Sequence, residues 1–560
     1  MALACGAQAQ TAADRAEAAR QADIIQRENQ ERLQRDLDAI RRAPGAPSGA
    51  DPKDFLPKVD VAPVSAACSH IRTVSIESAP HLSAPVGERL TREYAGRCIG
   101  VKEIEQILGA ITLDYVLRGY ITTRAYLPSQ ELSTGILRIK VSEGTIERIV
   151  IDDGDARSIR PSTAFPAKAG DLLNLRDLEQ GIDQVNRLSS NNARLDIQPG
   201  ERAGASTVVV HNQPATPFHA SLSLDNQGAE STGKNQVGLT LVADGVLGFN
   251  ELASLTHRQT VPNDRESRSS VSDNLSIVVP FGYTTLSTSV SRSSYATMIT
   301  APSGLRLRSN GTSGNDSLKL ERVMYRNQRT RVTLSAGYTA KNTENYFAGE
   351  YLAVSSRRLS VLDLGAGFST TMLDGVVSAE LGLSRGLKLG GAQTDAPNLP
   401  DGAPRSQFRK LNYAVSYYRP MKVGGTDVTL SSQLTGQHAG MTLHGSEQIA
   451  IGGLYSVRGF SKNSLSGDKG YYLRNELSSR RTLNLGSQPV ALRLYAALDT
   501  GRVAGAAAGL QEGRLTGMAL GATLAWKALA LDVSVAAPIS FPSFFRRESP
   551  QTWVRLSCSI

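Results

Sequence analysis

Phe218-His219-Ala220-Ser221-Leu222-Ser223-Leu224-Asp225 alternates apolar and polar side chains without a break. A strand pleats with period two, so this octet has one apolar face and one polar face. The same alternation recurs downstream. Val237, Leu239 and Leu241 are spaced by Gly238 and Thr240. Leu275, Ile277 and Val279 run into Pro280-Phe281-Gly282-Tyr283, and Leu286, Thr288 and Val290 run out again. Val377, Ala379, Leu381 and Leu383 follow the turn Asp374-Gly375; Val428, Leu430 and Leu434, then Leu531, Val533 and Val535, continue the series. The residues between them are mostly Ser, Thr, Gly and Asn. The texture begins after Pro214 and Pro217 and persists to the end of the chain. At roughly 20 residues per strand and connection it predicts about sixteen antiparallel strands. A soluble sandwich needs no such series. A lipid-facing barrel does, because every strand edge inside a bilayer must be paired. A propeller or solenoid would repeat a motif per blade or coil, and none recurs.

Upstream of the barrel the chain reads as two similar modules. From residue 65 to 144, Ile71 to Ile76 alternates as a strand; Ile104, Ile107, Leu108, Ile111 and Tyr115 share one helical face, which Gly119 ends. Residues 120–127 and then Leu137, Ile139 and Val141 give two more strands. From residue 145 to 214 the order repeats: Ile146, Ile149 and Ile151; a helix through Leu175, Leu178, Ile182, Val185 and Leu188; then Leu195, Ile197, Val208 and Val210. Two successive α+β units are a repeat at the level of fold. Before them, residues 43–64 hold five prolines (Pro44, Pro47, Pro52, Pro57, Pro63) and are expected to be an irregular linker. Residues 11–42 are helical in type, with Glu28 four residues before Arg32 and Glu31 before Arg35. A helix polar nearly all round does not belong to an ordinary core. It is a solvated spacer, a coiled-coil arm or a helix in a water-filled channel. Residues 1–10 resemble the end of a secretory signal.

Composition excludes several classes. No run of about 18 apolar residues is present, which rules out a transmembrane helix. The net charge of +9 over 560 residues is spread out, with no polybasic block, so nucleic-acid binding is not expected. None of the 4 cysteines forms a C-x-x-C pair, and none of the 7 histidines has metal-ligand spacing. Gly452-Gly453 lacks the lysine of a phosphate loop, and the sequence offers no other convincing catalytic constellation, so no catalytic residue, cofactor or metal is expected. Cys68 and Cys98 flank the first module and are either bridged, as suits an oxidising compartment, or two separate buried thiols. One segment stands out: Glu447-Gln448-Ile449-Ala450-Ile451-Gly452-Gly453, then Tyr455-Ser456-Val457-Arg458-Gly459-Phe460, a turn with a single strong charge.

Val457-Arg458-Gly459-Phe460 resembles the V-R-G-[YF] motif of two-partner secretion transporters, the TpsB family of the outer-membrane insertase superfamily. Ala497-Leu498-Asp499-Thr500-Gly501 is similar to that family's [FG]-x-D-x-G motif, matching at Asp499 and Gly501 and departing at Ala497. Arg118-Gly119-Tyr120, Tyr126-Leu127-Pro128 and Leu224-Asp225-Asn226-Gln227-Gly228 also fit, whereas the C-terminal Ile560 stands where members usually have Phe or Trp. The resemblance covers nearly the whole chain in order. It implies a transmembrane β-barrel of sixteen strands (residues 215–560), two periplasmic POTRA modules (65–144 and 145–214) and residues 11–42 as a plug helix. It implies a disulfide between Cys68 and Cys98, as in the haemolysin- and toxin-exporter branch, and a loop Arg458 paired with a barrel-wall Asp499. The implied function is type V, two-partner secretion across the outer membrane: recognition and secretion, or secretion with activation, of one large unfolded β-helical exoprotein. The implied partners are that exoprotein, outer-membrane lipid and the barrel assembly machinery. An insertase for other barrels and a diffusion porin are the alternatives.

Overall fold

The computed structural model describes residues 12–40, 50–56, 68–154, 158–300, 304–486, 488–505 and 511–560. The signal-like residues 1–10 lie outside the described residues. The alternating region closes into a barrel of antiparallel strands in sequence order, from Phe218–Asp225 to Gln551–Ser559. Apart from the two-residue ladder of Glu350–Tyr351, which extends one hairpin, sixteen strands make the ring. The last strand seals it against the first, with Arg555 opposite Asp225 through to Ser559 opposite Ser221. No polar edge is left to lipid, which is what a bilayer demands. Leu222, Leu224, Leu239, Leu241, Leu364, Leu381, Leu494 and Leu498 are exposed on the outer face. Inside stand residues of opposite parity, among them buried Gln236, Asn345, Arg357 and Asp499.

At one end the strands are joined by tight turns. Leu373 and Asp374, with φ of 53° and 56°, make a two-residue hairpin of the primed type that matches strand twist. The two modules sit at this end. In the first, Thr73–Glu77 runs parallel to Ile136–Ser142, which pairs antiparallel with Arg124–Tyr126. Helices Ala84–Tyr94 and Val101–Leu117 bury Leu90, Ile104, Ile107, Ile111 and Tyr115 against that sheet. In the second, Ala205–His211 lies between Thr145–Asp152 and Arg194–Pro199 under helix Leu175–Asn186. That helix docks on the barrel. Gln180 and Gln184 donate to the Gly282 carbonyl at 3.2 and 3.0 Å, and Arg326 reaches Asp183.

Three sequence expectations change. The strand expected over Ile71 to Ile76 is broken at Arg72 into Ser69–Ile71 and Thr73–Glu77, because the first piece pairs with Arg97–Ile99 and the second with the main sheet. The strand expected over residues 120–127 shrinks to Arg124–Tyr126, since residues 120–123 turn to carry the chain off the preceding helix. The linker is not irregular throughout: Pro52–Phe55 forms a 3-10 turn with Pro52 buried, Phe55 packs on the second module's core and Arg124 donates to its carbonyl at 3.0 Å.

The charged helix spans Ala12–Ile40 and runs inside the barrel. Arg32 donates to Gln236 at 2.6 Å and to the Gln227 carbonyl at 2.8 Å; Gln26 reaches Asn345 at 3.3 Å; Arg357 donates to Asp23 at 2.8 Å. Gln236, Asn345 and Arg357 all have the inward parity, and Gln227 lies just past the first strand. A polar lumen supplies partners for charges that an apolar core would reject.

Candidate functional site

Residues 440–468 connect two neighbouring barrel strands, Thr426–Ala439 and Lys469–Leu485, and fold back into the lumen. Within them Ile449–Ile451 pairs antiparallel with Leu465–Gly467, so the loop is a hairpin with its own ladder. Its apolar side is built from Ile449, Ile451, Val457, Phe460 and Leu465, packed on Val503 and Leu515 of the wall. Val457 and Phe460 thus go into one cluster, and Arg458 between them faces the other way. Gly459 has φ of +102°, and a Cβ there would stand 2.5 Å from the Ala537 carbonyl, so only glycine fits.

Arg458 meets Asp499 as the motifs imply. Its Nε lies 2.6 Å from Oδ2 and its Nη2 2.8 Å from Oδ1, a two-pronged bridge, while its backbone N–H donates to Oδ2 at 3.1 Å. Both groups are buried, Asp499 completely. Removing one partner of a buried bridge typically costs about 3–5 kcal/mol, because the other charge is left alone. Gly501 earns its place by space: a Cβ would lie 2.9 Å from the Ile451 methyl.

Four further groups complete the site without belonging to either motif. Glu476 accepts from Arg458 Nη1 at 2.9 Å and also pairs with Arg493. Arg474 donates to the Tyr455 carbonyl at 3.1 Å. Gly517 gives room to the Arg458 carbonyl, which would be 1.7 Å from any Cβ. Glu548, from the connection before the last strand, accepts the backbone N–H groups of Ser461, Lys462 and Asn463 at 2.8, 3.1 and 2.8 Å. The strand Tyr471-Tyr472-Leu473-Arg474-Asn475-Glu476-Leu477 carried a signal for two of them: with Leu477 outward, parity turns Arg474 and Glu476 inward. Gly517 and Glu548 need the register of neighbouring strands, which no single stretch contains.

Cys68 and Cys98 are joined by a disulfide, with Cα atoms 5.4 Å apart, across the Ser69–Ile71 and Arg97–Ile99 pair. At the junction of the modules Glu143 accepts from Tyr115 Oη at 2.6 Å and from the His81 backbone N–H at 3.2 Å, with His81 Nδ1 at 3.0 Å. Burial alone would raise the Glu143 pKa; the bonds from Tyr115 and His81 outweigh it and hold the carboxyl below its usual range. Among the described residues no three His, Cys, Asp or Glu side chains group so as to hold a metal ion. Ser189, His219 and Asp244 do meet, but hydroxyl and carboxylate both approach the same Nε2, at 2.8 and 3.5 Å. A nucleophilic triad needs the acid on the other ring nitrogen. Asp244 instead accepts the Ser190 N–H at 2.9 Å and serves as a joint between module and barrel.

Comparison with known proteins agrees with this architecture. Residues 204–524 match the family described as haemolysin secretion/activation protein ShlB/FhaC/HecB, residues 69–144 match a ShlB-type POTRA domain and residues 145–199 a POTRA domain. The outer membrane transporter CdiB of Dickeya dadantii is 33% identical over 501 residues, covering 88% of this chain and 87% of the relative. The hemolysin transporter protein ShlB of Serratia marcescens is 32% identical over 480 residues, covering 86% and 84%. The solved structure of CdiB from Escherichia coli superposes with a TM-score of 0.84 at 28% identity, over 99% of this chain and 100% of that one. With its sixteen-stranded barrel, two POTRA modules and inward loop, this chain belongs to the haemolysin secretion/activation protein family ShlB/FhaC/HecB.

Proposed function

We propose that this outer-membrane two-partner secretion transporter exports one large exoprotein, delivered unfolded to the POTRA modules and folding into a β-helix outside. The observation that carries the reading is the inward loop, locked to the wall by the buried Arg458–Asp499 bridge in a barrel with two modules at its mouth. Strand addition to a sheet edge would catch an extended chain through backbone hydrogen bonds. Thr73–Glu77 and Arg124–Tyr126 are the edges of the first sheet; Thr145–Asp152 and Arg194–Pro199 are those of the second. The helix Ala12–Ile40 acts as the plug that leaves when cargo enters. Val457, Gly459 and Phe460 shape the turn, Arg458 and Asp499 lock it, Gly501 makes room for it, and the Cys68–Cys98 bridge braces the first module. We assign the chain no catalysis of its own: directionality comes from folding outside, and the chain offers no phosphate loop for a nucleotide. Outer-membrane lipid surrounds the apolar band, and the barrel assembly machinery receives the chain during biogenesis. Deleting the chain in its own bacterium and comparing surface and culture proteins tests this. One very large protein should disappear and return on complementation. Loss of many barrels instead would mean an insertase, and loss of small-solute uptake a porin.

A further inference from the structure

The inward loop has a second ionic anchorage, remote in sequence from Arg458. Glu447, in the 3-10 turn Gly445–Glu447 on the loop's N-terminal arm, is buried. Its two carboxylate oxygens are held separately. Oε1 takes Lys341 Nζ, from strand Thr330–Phe347, and Oε2 lies 3.0 Å from Lys410 Nζ, from strand Arg409–Val423. These strands are not neighbours; two others stand between them in the ring. Lys410 also donates to the Glu447 carbonyl at 2.9 Å, as does Gln437 at 3.0 Å. The same turn touches the N-terminal helix. A Cβ on Gly445 would lie 2.3 Å from Asp23 Oδ2, and Asp23 is itself held by Arg357 at 2.8 Å.

We propose that Glu447, gripped by Lys341 and Lys410, is a positioning residue for export that fixes the loop's N-terminal arm to the wall and thereby holds the seat of the N-terminal helix. Three desolvated charges are a poor way to gain stability alone, since apolar side chains of like volume usually do as well or better. They are a good way to build a contact that parts cleanly when wetted, because each separated group can be solvated in the lumen. If the carboxylate is removed, the two lysines repel and lose their common partner. The arm then leaves the wall, and Gly445 no longer backs Asp23.

The inference rests on the transport reading only for its export arm; the conductance arm stands without it. The test is full-length Glu447→Gln in its own membrane and, purified, in planar bilayers, with heat-modifiable gel mobility to report barrel assembly. Expected are normal assembly, a raised ion conductance, and export lowered about tenfold or more. Lys341→Met and Lys410→Met singly should give intermediate conductance, and both together should match Glu447→Gln. Glu447→Asp, which keeps the charge, should restore part of the wild-type seal and export. Wild-type conductance in Glu447→Gln, or loss of assembly in Glu447→Gln and in the double lysine variant, overturns the proposal. A raised conductance with unchanged export upholds the role of Glu447 in seating the helix and overturns its role in export.

Discussion

Arg458 uses three guanidinium nitrogens at once, two on Asp499 and one on Glu476. Arg458→Ala should therefore abolish or strongly reduce export while the barrel still assembles, because its loss strands a buried carboxylate at about 3–5 kcal/mol but breaks no strand pairing. Secretion assays at matched membrane levels check this. Arg458→Lys should rescue poorly, since an ammonium cannot span two carboxylates with a planar fork. Exchanging the pair, Arg458→Asp with Asp499→Arg, should recover part of the loss if the bridge itself matters. Gly517→Ala should mimic Arg458→Ala without touching a charge, because its Cβ would overlap the Arg458 carbonyl. Arg458 and Asp499 could be read from short motifs because each sits in a turn or strand whose spacing is local. Glu476 could have been read from parity. Gly517 could not, because the space it keeps belongs to a residue on another element.

Elements were legible where one periodicity governs them. The barrel strands and the helix Val101–Leu117 follow from period two and period 3.6. The docked turn Pro52–Phe55 did not, because its order comes from a contact with the second module rather than from its own pattern. The disulfide spans 30 residues, so its removal by Cys68→Ser with Cys98→Ser should cost the first module about 3–4 kcal/mol on a chain-entropy view, read by hydrogen exchange at that module's core. The junction between modules should be pH-sensitive. Glu143 has a depressed pKa when folded, so its contribution is complete above its ordinary 4.5 and is lost as pH falls through the folded value. Glu143→Gln should flatten that acid limb of a stability curve and leave neutral-pH export measurably weaker than wild type.

At the scale of the whole molecule, the helix Ala12–Ile40 and the loop share one lumen. Deleting residues 12–40 should raise ion conductance through the barrel, because the wall partners Gln236, Asn345 and Arg357 are then left to water. Unchanged conductance in planar bilayers would remove the plug role and leave the transporter. The charge pattern of this helix says that it suits a wet environment but not which one; the family resemblance supplied the lumen, which is assembled from strands hundreds of residues away.

The clasp of Glu548 on the loop amides also ties the loop to the closure of the ring. Along the chain the loop lies after Lys341 and Lys410 but before Asp499 and Glu548. Its near arm is held by strands that precede it, whereas its tip closes on a strand and a connection that follow it. The carboxylate of Glu548 lies just ahead of Gln551–Ser559, the strand that seals the ring. Sealing and latching therefore depend on one short stretch, and a barrel lacking its last hairpin has an open wall and a loose loop together.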